Sequence, residues 1–460
     1  MNHEKVTCPV YRSYVTATLP DIVFSMSDIP FNSPPHSQKR INKSIERSAQ
    51  WLTTLLAPIN LPWSGGIQDD SRTASASQNL PPASIARLNV FVHMVGGIQP
   101  AARSAFAAVL QEPLETKEKA LVQLETLDEG VAGYVFDLVP IRAALLAEQT
   151  DKTASASAVR NPVSDTIASL IRASLQDLPE AKPRLVNTEY SPHEMLRLIR
   201  DAGIDLFDTF WAQQAATWGV ALDFRFPVAL DQDQQEETAK KHGKFQIGHN
   251  LYEERFALDF TSLAHTFLDG LEDSKRQNDA HIKGFQADAT ACSCASCSPT
   301  WSNDPLLHST VDDTGAARGT TGSGSPYTRA YVHHLLHTHE MSAHALLVMH
   351  NLTVMDAFMC GVRAVLEREQ NLEYNANPGP HDNKMMENGD EEASNKSTPT
   401  LFAQEVARFE QAYDVHLQVL DEAKACWAAV DLARGKGRLA RERAKALGDV
   451  VNSPVTGSLS

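Results

Sequence analysis

Within the stretch "ADATACSCASCSPTW", residues 287–301, three cysteines fall in six positions: Cys292, Cys294 and Cys297. The spacing Cys-x-Cys-x-x-Cys puts three soft sulfur donors on one tight turn, the donor set that Zn2+ takes in tetrahedral geometry. The whole chain holds only six cysteines, so half of them are crowded here. A fourth donor is expected from the histidines that follow: His333, His334, His337, His339, His344 and His350, all on what reads as helix. His350 ends "HALLVMH", where an apolar face points at the core. A histidine in that place needs a partner, and a metal ion would supply one. Three thiolates and one imidazole leave no position for water, so the metal would be structural rather than catalytic.

The elements that must position these groups come in two styles. From residue 20 to about 230, short apolar runs alternate with helical patterns: "PDIVFSM" before "KRINKSIERSAQWLTTLLA", "RLNVFVHMV" before "AARSAFAAVLQ", "AGYVFDLV" before a helix near 161–177. "KPRLVNT" precedes "SPHEMLRLIRDAG", where Ser191 reads as N-cap, Pro192 as first turn and Glu194 as the closing residue of a capping box. "IDLFDTF" follows as a further strand. Buried strands alternating with helices indicate a parallel α/β sheet. After about residue 325 the pattern becomes helical. Residues 64–85, 149–164, 300–326 and 375–400 are rich in Gly, Ser, Asn, Pro or charge and read as loops or linkers.

A formal net charge of −16 argues against a chain wholly devoted to nucleic acid. One basic run stands apart, "ARGKGRLARERAKAL", with Arg434, Lys436, Arg438, Arg441, Arg443 and Lys445; it reads as a solvated helix face or a phosphate-contacting surface. No apolar run of the roughly 20 residues that a membrane helix needs stands out, and the first residues lack the layout of a signal peptide. The crowded cysteines fit a reducing compartment, with Cys8, Cys360 and Cys426 as ordinary thiols. The expectation is a cytoplasmic protein with no transmembrane segment.

"CSCASC" followed by "YTRAYVHHLLHTHEMSAHALLVMHNL" resembles the zinc-binding part of the tRNA-guanine transglycosylases, or queuine tRNA-ribosyltransferases. "NLYEERFALDFTSL", "SPHEMLRLIRDAGIDLFDTFWAQQAATWGVALDF", "HMVGGIQPAARSAFA" and "AGYVFDLVP" also fall in the family's order, over most of residues 20–370. The resemblance implies one structural Zn2+ per subunit on Cys292, Cys294, Cys297 and the histidine of the pair His350-Asn351. It also implies a TIM-type (β/α)8 barrel fold. Only about five or six strand–helix units are legible, so the barrel is expected to lack its first strands and to leave two edges uncovered. The expected organisation is an incomplete barrel over 1–285 with linkers at 64–85 and 149–164, and a zinc-binding subdomain and helix over 286–370. A disordered insertion over 371–400 and C-terminal helices over 401–460 complete it.

Base exchange in this family uses two carboxylates, one as nucleophile at ribose C1′ and one moving protons. The nucleophile's position matches Asp208, but the family's following Pro-Thr-Arg reads Ala212-Gln213-Gln214 here. The Asp-Ser-Gly-Gly-Phe-Gln motif of the second aspartate is missing. The base-reading aspartate falls on Ser27 with Asp28 beside it, Gln-Gly-Gly becomes Val95-Gly96-Gly97, and the Gly-Gly-Leu after "GY" becomes Phe136-Asp137-Leu138. These losses resemble the non-catalytic accessory members of the family. They imply no catalytic residue, a heterodimer with a catalytic subunit, a role at the wobble position of tRNAs with GUN anticodons, and a peripheral association with the mitochondrial outer membrane. The alternative is an active transglycosylase with Asp208 as nucleophile and Asp28 or Asp137 as the second carboxylate. A zinc-stabilised α/β protein of unrelated purpose is the third reading.

Overall fold

The computed structural model describes residues 6–30, 36–60, 85–149, 156–188, 191–228, 243–264, 292, 294–297, 300–301, 322–323, 327–376 and 399–433. The chain divides into two compact units, Met1–Asp208 and Thr209–Ser460.

In the first unit the elements follow as α1 (Cys8–Thr18), β1 (Val23–Phe24), α2 (Gln38–Leu56), β2 (Ile59–Asn60), β3 (Ile85–Ala86), β4 (Val90–His93), α3 (Pro100–Gln111) and α4 (Thr116–Val122). Then come β5 (Val131–Asp137), α5 (Leu138–Gln149), α6 (Ala156–Leu175), β6 (Arg184–Asn187), α7 (Pro192–Ala202) and β7 (Leu206–Phe207). Strands β1, β4, β5, β6 and β7 form one sheet in that order, and every neighbouring pair is parallel. Strands β2 and β3 pair separately and antiparallel. The order follows the chain without reversal, so the α/β expectation holds. The central strand β5 is buried on both faces, which is why "VAGYVFD" reads as a near-continuous apolar run rather than an alternation. Gly133 is required there: a Cβ would come within 2.6 Å of the Phe91 ring and 2.7 Å of the Pro183 carbonyl oxygen.

Helix α7 starts as the sequence indicates, with Ser191 Oγ accepting the Glu194 N–H at 3.2 Å and Pro192 in the first turn. The Glu194 carboxylate takes up a larger task. It forms a two-pronged ion pair with Arg142 of α5, one bond at 2.9 Å, and accepts from Ser164 Oγ of α6 at 3.2 Å. Both charged partners are nearly sealed from water, with side-chain exposures of 9% and 3%. Three helices are therefore pinned through one carboxylate. The stretch 149–164 differs from its reading as a linker, because α6 is already helical from Ala156.

The second unit holds α8 (Phe210–Thr217), β8 (Val220–Leu222), β9 (Gly248–Asn250), β10 (Thr300–Trp301), β11 (Gly322–Ser323), α9 (Arg329–Thr338), α10 (Met341–Ala376), α11 (Leu401–Ala412) and α12 (Gln418–Ala433). The expected boundary at residue 285 falls among residues outside those described; the two compact units divide after Asp208, because α8 and β8 pack against the distant helix α10. Strands β8 and β9 pair antiparallel, as do β10 and β11, the latter within a stretch read as loop. Phe224 and Phe226 meet Phe358 and Phe409 edge-on at 5.6–6.0 Å between ring centroids, forming the aromatic centre of this unit. Gly361 on α10 lets the helix touch the Phe226 backbone, since a Cβ would lie 1.8 Å from that carbonyl oxygen.

Among the described residues, one stretch is long and apolar enough to cross a membrane by length and composition: Met341–Leu372 of α10, within which an 18-residue window has mean hydropathy 1.5. Its buried positions, His350, Asn351, Val354, Phe358, Val362 and Val365, recur at three- and four-residue steps. That is the stripe of a helix seated on a core. The insertion expected from 371 begins later, because α10 continues to Ala376. The basic run at 434–445, most of that insertion and much of the 300–326 loop lie outside the described residues.

Because Glu194 stays buried when its partner is removed, Arg142→Met is expected to lower the unfolding free energy by about 3–5 kcal/mol. The double variant with Glu194→Met should recover most of that loss. Urea denaturation of the three proteins checks it.

Candidate metal centre

Residues 294–297 make a turn that carries Cys294 and Cys297, with Cys292 just before it, and all three face His350 on α10. The three Sγ atoms lie 3.7, 3.6 and 3.6 Å from His350 Nδ1. All four donors are buried, none more than 3% exposed. A tetrahedral ion with bonds of about 2.3 Å to sulfur and about 2.05 Å to nitrogen sets an S···N edge of about 3.6 Å. The four donor atoms lie within 4.8 Å of one another, so they surround a volume of ionic size.

The surroundings fix each donor. His350 Nε2 lies 2.9 Å from the Leu222 carbonyl of β8. A carbonyl only accepts, so Nε2 carries the hydrogen and the Nδ1 lone pair is left toward the sulfurs. Asn351, the next residue, works the same strand. Its Oδ1 accepts the Leu222 N–H at 2.9 Å, and its Nδ2 donates to the Val220 carbonyl at 3.0 Å and to Ala212 at 3.2 Å. On the cysteine side, Cys297 N–H donates to Cys294 Sγ at 3.2 Å, and Ser296 Oγ donates to the Leu346 carbonyl of α10 at 2.7 Å.

The thiols do not titrate alike. Cys294 is driven down because Cys292 and then Cys297 hydrogen-bond to its sulfur, while the same two-neighbour arrangement drives Cys297 up. Burial pulls His350 down, but the facing sulfurs of Cys292 and Cys294 outweigh it and push the imidazole up to about 9. Three buried thiols this close cannot all ionise without a cation among them. The donor chemistry thus fits a four-coordinate metal ion with a closed shell, and His350 is the downstream histidine that joins the cysteines. His333 and His337 instead hold backbone carbonyls, of Leu251 at 2.9 Å and Tyr252 at 3.1 Å.

The candidate carboxylates sit at the carboxyl ends of the parallel strands in the first unit. Asp28 follows β1 and is neutralised by Arg40 at 2.7 and 2.9 Å and by Arg47 at 3.2 Å. Burial opposes its ionisation, yet the two guanidiniums hold it below the usual carboxylate range. Asp137 ends β5, where its Oδ1 accepts the Val139 N–H at 3.0 Å at the start of α5. Asp208 follows β7, and its Oδ2 accepts the Thr188 N–H at 3.0 Å. Thr188 has φ 64, a left-handed conformation that this bond helps to hold. Asp137 pairs in register with Asn187 of β6, and β7 lies beyond, so Asp137 and Asp208 are separated by two strand spacings, about 10 Å.

Asp28 and Asp137 line one cavity with His93, Gly96, Gly97 and Arg103, and its lining does not include Asp208. Its volume is about 80 Å3. Pockets that bind small organic ligands measure about 300–1,000 Å3, several times larger than this cavity. His93 contacts Ser27 Oγ through Nδ1, and burial with Arg103 keeps its imidazole below the ordinary value despite Asp137. Arg103 is fully buried, donating to the Gly97 carbonyl at 2.7 Å and to Ser174 Oγ at 3.1 Å; burial lowers it to about 10. His93 was legible as a histidine at the end of a strand, "VFVHMV"; Arg103 gave no signal, being one arginine on a helix.

The family profile for queuine tRNA-ribosyltransferase matches residues 132–377. Among curated proteins, the chain is similar to queuine tRNA-ribosyltransferase accessory subunit 2 of Pongo abelii, 28% identical over 214 residues, 46% of this chain and 43% of that protein. The protein of the same name from Drosophila grimshawi is 24% identical over 377 residues, 80% of this chain and 61% of that one. That of Schizosaccharomyces pombe is 23% identical over 364 residues, 79% and 54%. The chain therefore spans less than two thirds of each of these relatives.

The raised His350 fixes a pH dependence. In the metal-free protein its protonated form stabilises the fold fully below about 6.5, and that contribution is lost as pH rises through about 9. Metal binding must displace the same proton, so the metal-loaded protein should behave in the opposite sense and release its ion as pH falls. Metal content after dialysis at pH 8 and pH 5, with melting curves of loaded and chelated protein at each pH, checks both signs. His350→Ala should lose the ion and at least about 3 kcal/mol of stability.

Proposed function

This chain belongs to the queuine tRNA-ribosyltransferase family, and from that premise we propose that it is a non-catalytic accessory subunit. It pairs with a catalytic subunit that exchanges guanine for queuine at the wobble position of tRNAs with GUN anticodons. The observation that carries this reading is the narrow cavity at the strand ends, well below the size of ordinary ligand pockets. Its carboxylate Asp28 is already neutralised by two arginines, and Asp208 stands apart from it. Among the described residues, the carboxylates proposed to partner Asp208 are engaged elsewhere, Asp28 with Arg40 and Arg47 and Asp137 at the start of α5, and Asp208 itself has a structural task at Thr188. The metal is Zn2+, one per subunit, held by Cys292, Cys294, Cys297 and His350. It keeps the segment before α9 docked on α10 and supplies no chemistry to a substrate. The five strands that follow the chain in unreversed order belong, in this reading, to a (β/α)8 barrel.

The pairing surface lies on the second unit. An open groove of about 610 Å3 is lined by Phe260, Tyr327, Tyr331 and His334, among others. Phe260 is 73% exposed and Leu258 81%, and Tyr327 stacks on Tyr331 at 5.4 Å between centroids. Exposed aromatic patches of this kind mark protein contacts, and the occupant in this reading is the catalytic subunit. The complex is cytoplasmic and peripheral at the mitochondrial outer membrane, which fractionation of the tagged chain tests.

Two outcomes are expected. Labelled guanine should exchange into a GUN-anticodon tRNA with a catalytic partner present and faster when this chain is added, but not with this chain alone. Asp208→Asn should leave the rate of the pair unchanged; loss of exchange would move catalysis to Asp208. Separately, Tyr331→Ala with Phe260→Ser should weaken pairing at least tenfold in analytical ultracentrifugation without lowering the melting temperature.

A further inference from the structure

We infer that α9 carries a second metal site, formed by His333 and His337, for a first-row transition cation that favours imidazole, such as Zn2+ or Ni2+. The two residues are four apart, so they share one face of the helix. Their ring centroids lie 4.3 Å apart with 47° between the planes. Two imidazoles bound to one ion at about 2.05 Å, with an N–metal–N angle of about 90–109°, have centroids about 4.5–5.2 Å apart. A few tenths of an ångström separate the observed pair from that range, within the reach of small side-chain rotations.

The tautomers are set from outside the pair. His333 Nδ1 faces the Leu251 carbonyl at 2.9 Å, and His337 Nε2 faces the Tyr252 carbonyl at 3.1 Å. Both carbonyls only accept, so both of those nitrogens carry hydrogen. The lone pairs are left on His333 Nε2 and His337 Nδ1, which take no hydrogen bond among the described residues and are not sealed from solvent. Ligating histidines are held in this way, by a carbonyl on the other ring nitrogen. Tyr252 packs edge-on against His337, 5.7 Å between centroids, and steadies that ring. This pair uses none of the residues around His350, and two protein donors leave coordination positions open to water or another ligand. Imidazole donors suit Zn2+, Ni2+ and Cu2+ rather than Mg2+ or Ca2+.

The test titrates the full-length chain with Ni2+ after the cysteine cluster has been loaded with Zn2+ and excess removed. One Ni2+ equivalent is expected by calorimetry, and His337→Gln or His333→Gln should weaken it at least tenfold. His334→Gln, an exposed neighbour on the same helix, should leave it unchanged. Histidine ring NMR of the unaltered chain reads the same point without a variant: Ni2+ should broaden the His333 and His337 signals before the others. Absence of the equivalent in the unaltered chain, equal affinity in both glutamine variants, or broadening of other histidines first would overturn the assignment.

Discussion

The second unit depends on how α10 satisfies the outer side of β8. Paired with β9 on one side, β8 turns the Leu222 N–H, the Leu222 carbonyl and the Val220 carbonyl the other way. An unpaired strand side buried in a core would cost the desolvation of each of these groups, about 1–3 kcal/mol apiece. Two consecutive side chains, His350 and Asn351, meet all three. Because His350 spends its Nε2 hydrogen on Leu222, its other nitrogen is free to face the cysteines. The strand, the helix and the metal turn are thus tied through a single imidazole. Disturbing the sulfur side changes the ring that closes the strand, so the metal centre and the hydrogen-bonded core are one structure.

This arrangement explains what the sequence discloses and what it hides. The ligand set was legible because thiols in a Cys-x-Cys-x-x-Cys spacing have few other uses, and because a histidine at the end of an apolar helical run demands a partner. The parallel sheet was legible from buried runs such as "VAGYVFD". Asn351 stood in view beside His350, but its hold on β8 was not, since its partners are backbone groups that no side-chain pattern advertises. The division after Asp208 was hidden for a related reason: contacts of α8 and β8 with α10 span more than a hundred residues of sequence. The start of α6 at Ala156 was masked by serines and threonines that look like a linker and still tolerate helix.

The strand ends in the first unit show carboxylates put to structural use. Carboxylates remain after β1, β5 and β7, the edge where parallel α/β folds place catalytic groups. Each has been drawn into holding the fold. Asp28 binds two arginines, Asp137 meets the first turn of α5, and Asp208 holds the left-handed Thr188. Buried Arg103 reaches back to the Gly97 carbonyl beside the cavity, and Gly96, at φ 124 with the Arg103 backbone 2.7 Å from where a Cβ would stand, admits that close approach. A charged side chain is thus packed against the glycine loop that borders the cavity.

The cavity and the cysteine cluster also belong to separate units, and that bears on what each substitution costs. The cavity is lined wholly by residues of the first unit, while the metal donors and the strand they support lie wholly in the second. Losing one of the strand-end carboxylates releases local partners, two guanidiniums at Asp28 or the Thr188 N–H at Asp208. Losing a metal donor strands several buried groups at once: a cationic imidazole, three thiols and the polar side of β8. Substitutions at the strand-end carboxylates therefore disturb one local contact each, whereas substitutions at Cys292, Cys294, Cys297 or His350 reach the hydrogen-bonded core of the second unit.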